Sequence, residues 1–251
     1  NQRVQTAAGM ESISELASVD VFVQWGITEK AEKKKQVEVQ KALGRDLIYV
    51  EDGFIRSLGL GLSGEPGLSI ILDDTTSYYD ATRVSRLERF LENGPELNVE
   101  EHERSAELVQ KIIVNRISKY NHAPDLKLNI GSLDRPKLLL VDQRYGDQSV
   151  VSGMADEKCF QEMLFDAIND YPEYDIIIKQ HPDAITGGKS SYFNNDFLMC
   201  TKFCKNVYVV DFDVNPHVLF DIVDEVFVAT SGMGFEALMR GKKVHCYGVP
   251  F

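Results

Sequence analysis

Short apolar segments alternate with amphipathic segments along most of the chain. In the first half, the apolar segments predict strands at Val19–Trp25, Asp46–Val50 and Leu68–Leu72, with a helix at Thr28–Leu43 between the first two. A long charged segment, Arg83–Tyr120, follows, and its pattern predicts helix. Strands and helices that alternate in this way are typical of a parallel α/β sheet.

The same pattern starts again after a polar stretch at Asn121–Pro136. That stretch contains Pro124 and Gly131 and has no apolar periodicity, so it is predicted to be a linker between domains. The predicted strands beyond it are Lys137–Asp142, Asp175–Lys179, Asn206–Val210, Glu225–Ala229 and Lys243–Tyr247. The predicted helices are Asp156–Asn169, a short one near Pro216–Val223, and Gly232–Arg240. Continuous apolar strands predict burial on both faces of the sheet.

Two such halves predict an α/β fold with two Rossmann-like lobes, each built on a parallel sheet, in a GT-B-like arrangement. We expect residues 1–130 to form an N-terminal lobe and residues 131–251 to form a C-terminal lobe. The chain begins at Asn1 rather than at Met and ends directly after a predicted strand. We therefore expect a trimmed chain or a fragment of a longer protein, with the C-terminal lobe cut short.

Composition narrows the class of partner. The 251 residues are 43% hydrophobic, which is enough to bury a core, and they contain 27 Lys and Arg against 39 Asp and Glu, a net charge of −12. This balance argues against a nucleic-acid partner, whereas a small anionic ligand needs only a few convergent cations.

No apolar run reaches the roughly 20 residues of a membrane span and no leader is visible, so the sequence predicts a cytoplasmic protein. The four cysteines form no zinc-binding pattern.

Polar clusters follow several predicted strands, at the edge of the sheet where α/β proteins bind ligands. They are Glu51–Ser57, Gln143–Asp147, Lys179–Pro182 and Thr230–Glu236. The last cluster opens a helix, so its hydroxyls and backbone N–H groups are suited to a phosphate or carboxylate, although an ordinary helix cap predicts the same residue types. If the strand persists as far as His181, Lys179 and His181 should lie on one side of the sheet. A His-Pro pair by itself is more typical of an ordinary loop.

Acidic side chains follow strands in both halves. Glu51 and Asp52 in the first lobe and Asp147 in the second are placed to face each other across a cleft, and two carboxylates are what retaining glycosyl transfer requires. Asp147 directly follows Gly146, which is also typical of an ordinary turn. If the strand continues through residue 52, alternation allows only one of Glu51 and Asp52 to face the cleft.

Two other patterns have simpler interpretations. Gly59–Gly64 matches GxGxxG, but a strand follows it rather than a helix, so no nicotinamide cofactor is predicted. The lysines of the helix at Thr28–Leu43 predict a solvated helix face, and contact with anionic lipid is the less favoured alternative.

Taken in order, the strand-end clusters resemble one family, the bacterial capsular polysaccharide retaining β-Kdo transferases of the KpsC-like group. The strings that carry the resemblance are Trp25-Gly26, Glu51 to Ser57, Tyr78 to Thr82, Ser85 to Glu88, Gln143 to Val150, Lys179 to Pro182, Asn215-Pro216, and Thr230 to Leu238. Val84 stands where the family usually has Pro, and the family's Tyr-Ala-Gly-Trp-Gly continuation after Phe251 is absent.

The resemblance implies a metal-independent, cofactor-free GT-B glycosyltransferase of capsule synthesis. Such an enzyme takes Kdo, an eight-carbon acidic sugar, from CMP-β-Kdo and adds it with retention to a lipid-linked Kdo acceptor. It also implies a place on the cytoplasmic face of the inner membrane, in contact with other capsule-synthesis proteins.

The resemblance further implies roles for the strand-end residues. Asp147 is the expected nucleophile and Glu51 or Asp52 the base, with Glu51 preferred, while Arg56 or Arg144 faces the carboxylate of Kdo. The remaining residues expected to bind substrate are Gln143, Lys179, His181, Thr230, Ser231, Gly232 and Glu236. Two alternatives stay open: a non-catalytic module that binds CMP or glycolipid, and a GT-B-shaped nucleotide-sugar epimerase.

Overall fold

The structure, a computed structural model, describes residues 18–28, 31–60, 64–181 and 190–250. The strands are β1 (Val21–Trp25), β2 (Asp46–Asp52), β3 (Ile70–Asp73), β4 (Lys137–Val141), β5 (Asp175–Lys179), β6 (Val207–Val210), β7 (Glu225–Val228) and β8 (Lys243–Cys246). The helices are α1 (Ala31–Leu43), α2 (Arg86–Asn93), α3 (Val99–Val114), α4 (Gln148–Ser152), α5 (Glu157–Asp170), α6 (Asn195–Leu198), α7 (Pro216–Ile222) and α8 (Met233–Met239). A 3₁₀ helix, Met199–Phe203, directly follows α6. The predicted α/β class is confirmed.

The first sheet has three strands in the order β1-β2-β3. The β1 and β2 strands are parallel, but β3 runs antiparallel to β2, so the prediction of a wholly parallel sheet in this half is wrong. The reason lies in the connection: the described residues between β2 and β3 form no helix. Parallel neighbours need a crossover connection, which is usually a helix, whereas a strand that follows a non-helical loop can pair beside β2 in the antiparallel direction.

The second sheet has five parallel strands in the order β6-β5-β4-β7-β8. The predicted burial on both faces is confirmed in β4 and β5, since Leu138–Leu140 and Ile176–Ile178 have no exposed surface. Helix α5 covers one face through Phe160 and Leu164, and α7 covers the other through Leu219. Each fully buried side chain of this size contributes about 1.5–3 kcal/mol.

The strand order creates a switch point between β4 and β7. From β4 the chain builds outward through β5 to β6, and it then returns to the opposite side of β4 to form β7 and β8. Connections that leave the adjacent ends of β4 and β7 therefore diverge, and a crevice forms between them. In open α/β sheets this crevice is where ligands bind.

The long charged segment is two helices rather than one. Helix α2 begins after Ser85, which forms a capping box with Glu88, and α3 begins after Asn98, which forms another with Glu101. Gly94 and Pro95 separate them, and proline disfavours a helical conformation in the residue before it. The helical region predicted at Arg83–Tyr120 is therefore divided into two helices.

Several smaller features also differ from the expectation. Helices α4 and α6 and the 3₁₀ helix were not predicted, because elements this short carry no apolar periodicity. The predicted linker, residues 121–136, contains no regular element, yet Leu128 and Ile130 pack against the core of the five-stranded sheet. Pro182, Lys30 and residues 61–63 of the glycine-rich pattern lie outside the described residues. No helix in the described part of the chain is long and apolar enough to cross a membrane.

The end of α4 packs closely against the loops that follow β7 and β8. A Cβ atom on Gly153 would lie 2.5 Å from Thr230 Cγ2, 2.6 Å from the Ser149 carbonyl oxygen and 2.8 Å from the Val249 carbonyl oxygen. Two of these three neighbours are backbone atoms, which cannot move aside without shifting the chain. A side chain at position 153 would thus separate α4 from Thr230.

We expect Gly153→Ala to lower the free energy of unfolding by about 1–3 kcal/mol, as measured by urea denaturation, because of this overpacking. Gly232→Ala is the matched control: Gly232 has an ordinary φ of −57° and nothing within 4 Å of the added Cβ. Its effect should stay below about 1 kcal/mol. Equal stability of the Gly153→Ala protein and the parent would contradict the packing described here.

Candidate functional site

A cleft of about 1050 Å³ lies at the carboxyl ends of both sheets. Its walls come from the loops after β2, β4, β5 and β7 and from one side of α3. The strand-end residues identified from the sequence all line it: Glu51, Asp52, Arg56, Gln143, Arg144, Asp147, Lys179, His181, Thr230, Ser231, Gly232 and Glu236. The structure thus brings together residues that lie far apart in the sequence.

Glu51 and Asp52 are the last two residues of β2, and both line the cleft. The strand includes residue 52, so the expectation that alternation turns only one of the two side chains towards the cleft stays a prediction.

The two carboxylates have different partners. The Tyr79 hydroxyl donates to Glu51 Oε2 at 2.9 Å. Burial, together with the negative charge of Glu51, raises the pKa of Tyr79 well above its ordinary value, so this hydroxyl keeps its proton and acts as a donor. Asp52 instead accepts from Arg56 Nε at 2.8 Å. Glu51 is thus held by a neutral donor, whereas Asp52 forms an ion pair.

Arg56 also fixes the loop that follows β2. One terminal nitrogen of its guanidinium donates to Ser57 Oγ at 2.9 Å and to the carbonyl oxygen of Glu65 at 3.0 Å. These contacts span the loop from β2 towards β3. Arg56 therefore has a structural role in the loop in addition to its place at the cleft wall.

An aromatic cluster in the cleft was missed by the sequence analysis. The rings of Phe54 and Tyr78 lie 5.1 Å apart, and Phe54 lies 5.5 Å from Phe235 of α8. The cluster joins the loop after β2 to the helix after β7, and all three rings line the cleft. Neither strand spacing nor helical periodicity brings these positions together, so no sequence signal would have identified the cluster.

Asp147 caps the short helix α4. Its Oδ1 accepts from the Ser149 backbone N–H and from Ser149 Oγ, both at 2.9 Å. The sequence left two interpretations open, an ordinary turn residue or a catalytic acid. The structure places Asp147 in a helix cap and at the cleft wall at the same time.

Gln143 and Thr230 join the carboxyl ends of β4 and β7. The Thr230 backbone N–H donates to Gln143 Oε1 at 2.9 Å, and Gln143 Nε2 donates to Thr230 Oγ1 at 3.0 Å. Both residues are buried. Two buried hydrogen bonds therefore fix the position of the end of β4 relative to the end of β7 at the switch point.

Lys179 ends β5 inside the cleft wall, and His181 lines the cleft two residues later, although the strand does not continue to His181. The Lys179 ammonium donates to the carbonyl oxygen of Gln180 at 2.8 Å. Burial lowers the pKa of Lys179 to about 8, while the negative charges of Asp213 and Asp142 act in the opposite direction. Lys179 remains mostly protonated at pH 7 and can attract an anion.

Asp142, which directly follows β4, is an anchor for the surrounding loops. It accepts from the backbone N–H groups of Gln143 at 2.8 Å, Phe193 at 3.0 Å and His181 at 3.4 Å. Burial raises the pKa of its carboxyl, and these donors act against that effect. The arrangement fixes the start of the loop that carries His181.

Glu236 of α8 holds the chain segment that follows α3. Its carboxylate accepts from Ser118 Oγ at 2.8 Å and from the Lys119 backbone N–H at 3.0 Å. Glu236 is 7% exposed, and burial raises the pKa of its carboxyl to about 6. Nearby, Ser231 Oγ accepts from the Met233 N–H at 3.3 Å, and Gly232 precedes the first residue of α8.

The described residues contain no group of three or more His, Cys, Asp or Glu side chains placed to hold a metal ion. Cationic side chains and hydroxyls at the cleft can meet a negative charge. The carboxylates, which come from both sheets, are the groups that can accept a proton or attack an electrophile.

Comparison with known proteins gives consistent matches. A family model described as capsule polysaccharide biosynthesis protein matches residues 20–131 and 113–251. The capsule polysaccharide modification protein LipA of Neisseria meningitidis serogroup B is 36% identical over 237 residues, which cover 92% of this chain and 32% of LipA. The lipopolysaccharide-processing protein LpsZ of Rhizobium meliloti is 35% identical over 235 residues, which cover 92% of this chain and 51% of LpsZ. The chain spans about a third of LipA and half of LpsZ.

Two solved structures are also similar. Thermosulfurimonas dismutans KpsC, described as a β-Kdo 2,4 transferase, matches with a TM-score of 0.81 and 37% identity over 90% of this chain and 68% of that chain. KpsC of the same organism, described as a β-Kdo 2,7 transferase, matches with a TM-score of 0.63 and 26% identity over 98% of this chain and 71% of that chain.

Glu236 makes a testable contribution to the pH dependence of stability. Its folded pKa of about 6 lies above the ordinary value of 4.5, so the folded state binds the proton more tightly than the unfolded state does. The associated stability is complete below the unfolded pKa and is lost as pH rises through the folded pKa. Between about pH 4.5 and pH 7 the parent should lose about 2 kcal/mol relative to Glu236→Gln.

Urea unfolding of both proteins at the two pH values measures this difference. Glutamine keeps an oxygen acceptor for the Lys119 N–H and cannot ionise, so the comparison cancels the titration of all other groups. A stability difference that does not change with pH would show that the Glu236 carboxyl titrates normally.

Proposed function

The chain belongs to the capsule polysaccharide biosynthesis protein family, and on that basis we propose that it acts as a retaining β-Kdo glycosyltransferase. It transfers Kdo from CMP-β-Kdo to a lipid-linked Kdo or oligo-Kdo acceptor. The observation that carries the proposal is the single cleft in which candidate acids, cations and hydroxyls from both sheets meet. The similarity to the KpsC β-Kdo transferases supports it.

The donor lies against the five-stranded sheet in this proposal. CMP leaves with its phosphate, so its departure needs positive charge and hydrogen-bond donors more than a strong acid. Lys179 and His181 supply the cationic and donor groups after β5, and Thr230, Ser231 and Gly232 supply hydroxyl and backbone donors after β7. Because these groups suffice for the leaving phosphate, the scheme includes no metal ion and no cofactor.

Asp147 is the nucleophile in the first step. A carboxylate oxygen of Asp147 forms a bond to the anomeric carbon of Kdo while the bond from that carbon to the CMP phosphate oxygen breaks. The electron pair of the broken bond leaves with CMP. Kdo carries its own carboxylate, which repels the carboxylate of Asp147. The reaction therefore needs a cation near the Kdo carboxylate, and Arg144 and Arg56 line the same cleft.

Glu51 is the base in the second step. It takes the proton of the acceptor hydroxyl as that oxygen attacks the anomeric carbon, and the ester electron pair returns to Asp147. Two inversions give net retention. The Tyr79 hydroxyl orients Glu51 through Oε2. Asp52 is the less favoured base because its carboxylate is paired with Arg56.

The acceptor lies against the three-stranded sheet, within residues 1–130, and the donor within residues 131–251. The lipid-linked acceptor places the protein at the cytoplasmic face of the inner membrane, in contact with other capsule-synthesis proteins. These assignments belong to the proposal and rest on the position of Glu51 and Asp52 on one side of the cleft and Lys179 and Ser231 on the other.

Donor recognition is tested by calorimetry with CMP and UDP, followed by an assay with CMP-Kdo and a Kdo-primed glycolipid. We expect CMP to bind more tightly than UDP and Kdo to be transferred. His181→Ala should weaken CMP binding by about 10- to 100-fold, since a hydrogen bond to a charged group contributes about 1.5–3 kcal/mol.

His102→Ala is the matched control, because His102 is exposed on α3 and does not line the cleft. CMP binding without any transfer would favour a non-catalytic module, and preference for UDP would favour an epimerase. Parent-like CMP affinity of the His181→Ala protein would remove His181 from the donor site.

The nucleophile is tested by Asp147→Asn. The amide preserves the shape of the side chain and still accepts through oxygen at the helix cap, so fold and CMP affinity should stay close to those of the parent while transfer is lost. Intact-mass spectrometry of the parent with CMP-Kdo and no acceptor should show one added Kdo on Asp147.

Asp156→Asn is the control for this change, because Asp156 caps α5 in the same manner but does not line the cleft. Its activity should equal that of the parent. Substantial turnover by the Asp147→Asn protein, or an adduct on a different residue, would exclude Asp147 as the nucleophile.

A further inference from the structure

We propose that Ser149 is a positioning residue for Asp147, oriented in turn by Gln143, and this proposal rests on the proposed function of Asp147 as the nucleophile. Ser149 was not identified from the sequence as a site residue. It belongs to α4 and lines the cleft beside Asp147. The structure gives it two separate contacts with the same carboxylate oxygen.

The first observation is the asymmetry of the Asp147 carboxylate. In the described part of the chain, both hydrogen bonds to this side chain end on Oδ1, one from the Ser149 backbone N–H and one from Ser149 Oγ. Two donors on one oxygen fix the plane of the carboxylate. Oδ2 is then the oxygen that is left to approach the anomeric carbon.

The second observation is the direction of the hydrogen bonds that join Thr230 to Gln143 and Gln143 to Ser149. A backbone N–H can only donate, so the Gln143 side-chain atom that faces the Thr230 N–H at 2.9 Å must be the oxygen. The amide nitrogen of Gln143 therefore faces Ser149 Oγ, at 3.3 Å, and donates to it. Since Ser149 Oγ accepts from Gln143, its own proton is directed to Asp147.

The anchor of this chain of hydrogen bonds is rigid. Gln143 and Thr230 are 6% and 5% exposed and sit at the ends of the buried strands β4 and β7. The five-stranded sheet thus holds Gln143, Gln143 holds Ser149, and Ser149 holds Asp147. Gln143 thus acts on the Asp147 carboxylate through Ser149, whereas the sequence predicted that Gln143 binds the substrate.

The arrangement suits both covalent steps. In the first step Oδ2 bonds to the anomeric carbon as the electron pair leaves with CMP, and Oδ1 becomes the carbonyl oxygen of the ester. In the second step the acceptor oxygen bonds to the anomeric carbon, its proton passes to Glu51, and the ester electron pair returns to the carboxylate. Negative charge then reappears on Oδ1, where the Ser149 hydroxyl stabilises it.

A purely structural role for Ser149 can be separated from positioning. The bond that caps α4 is the one from the Ser149 backbone N–H, and it survives in Ser149→Ala. Only the hydroxyl bond is lost. If the hydroxyl had no role beyond the helix, its removal would leave the reaction rate unchanged in a folded protein.

The test compares Ser149→Ala, Ser149→Thr and Ser152→Ala with the parent, measuring kcat and KM for CMP-Kdo and the rate of Kdo adduct formation without acceptor. We expect kcat of Ser149→Ala to fall at least tenfold, and up to about 100-fold if the carboxylate moves by 1 Å. KM should change by less than about twofold, adduct formation should slow in parallel, and the hydroxyl of Ser149→Thr should restore most of the rate. Ser152→Ala, which removes a hydroxyl from the same helix but not from the cleft, should match the parent.

A second variant, Gln143→Glu, tests the orientation of Ser149 without changing the side-chain volume at position 143. An ionised carboxylate accepts from the Thr230 N–H but cannot donate to Ser149, so the Ser149 proton would turn away from Asp147 and kcat should fall in the same direction. If Ser149→Ala does not fold, a parent-like kcat of the Gln143→Glu protein would overturn the orientation of Ser149 by Gln143.

The outcomes distinguish this inference from the proposed function. A parent protein that neither transfers Kdo nor forms an adduct would exclude the proposed function itself. An active parent together with parent-like kcat in folded Ser149→Ala, or an equal loss in Ser152→Ala, would overturn the role of Ser149 alone. Loss of CMP affinity in place of kcat would assign Ser149 to donor binding and would likewise overturn it.

Discussion

The central position of β4, paired with β5 on one side and β7 on the other, is the constraint on which the candidate site depends. Side chains without exposed surface hold β4 and β5 in the middle of the sheet. The order in which strands are added reverses there, so the loops after β4 and β7 separate and leave room for a ligand. Gln143 and Thr230 close the base of that space through paired hydrogen bonds.

One short segment connects this site to the three-stranded sheet. Glu236 binds Ser118 and the Lys119 N–H from the five-stranded side, while the Lys119 carbonyl oxygen accepts from the backbone N–H groups of Arg56 and Ser57 on the other side. The position of Glu51 relative to Asp147 therefore depends in part on hydrogen bonds made by a segment that has no regular structure, beside the direct bond from the Ala81 N–H to the Ser152 carbonyl oxygen. The buried carboxylate of Glu236 and backbone hydrogen bonds hold this segment in position, a role that a sheet or a helix usually has.

Local arrangement, rather than overall charge, determines which ligands the cleft can accept. The chain has a net charge of −12, yet Lys179, Arg144 and His181 all line the cleft. Burial near Asp213 and Asp142 leaves Lys179 with a pKa of about 8, so its charge is present at neutral pH and available to an anion. Composition argued against a polyanion, and it carried no information about this cluster.

The sequence by itself determined the elements with strong patterns and the identity of the strand-end residues. Buried parallel strands such as Leu138–Leu140 are recognised from their apolar runs, and polar residues directly after them must lie at the ligand-binding edge. The tertiary structure alone decided what depends on contacts between distant segments. These are the antiparallel direction of β3, the different partners of Glu51 and Asp52, the Phe54–Phe235 contact and the hydrogen bond from Ser149 to Asp147. Periodicity reports the environment of each residue along its own element, whereas strand direction, side-chain orientation and hydrogen-bond partners are set by neighbours that periodicity does not identify.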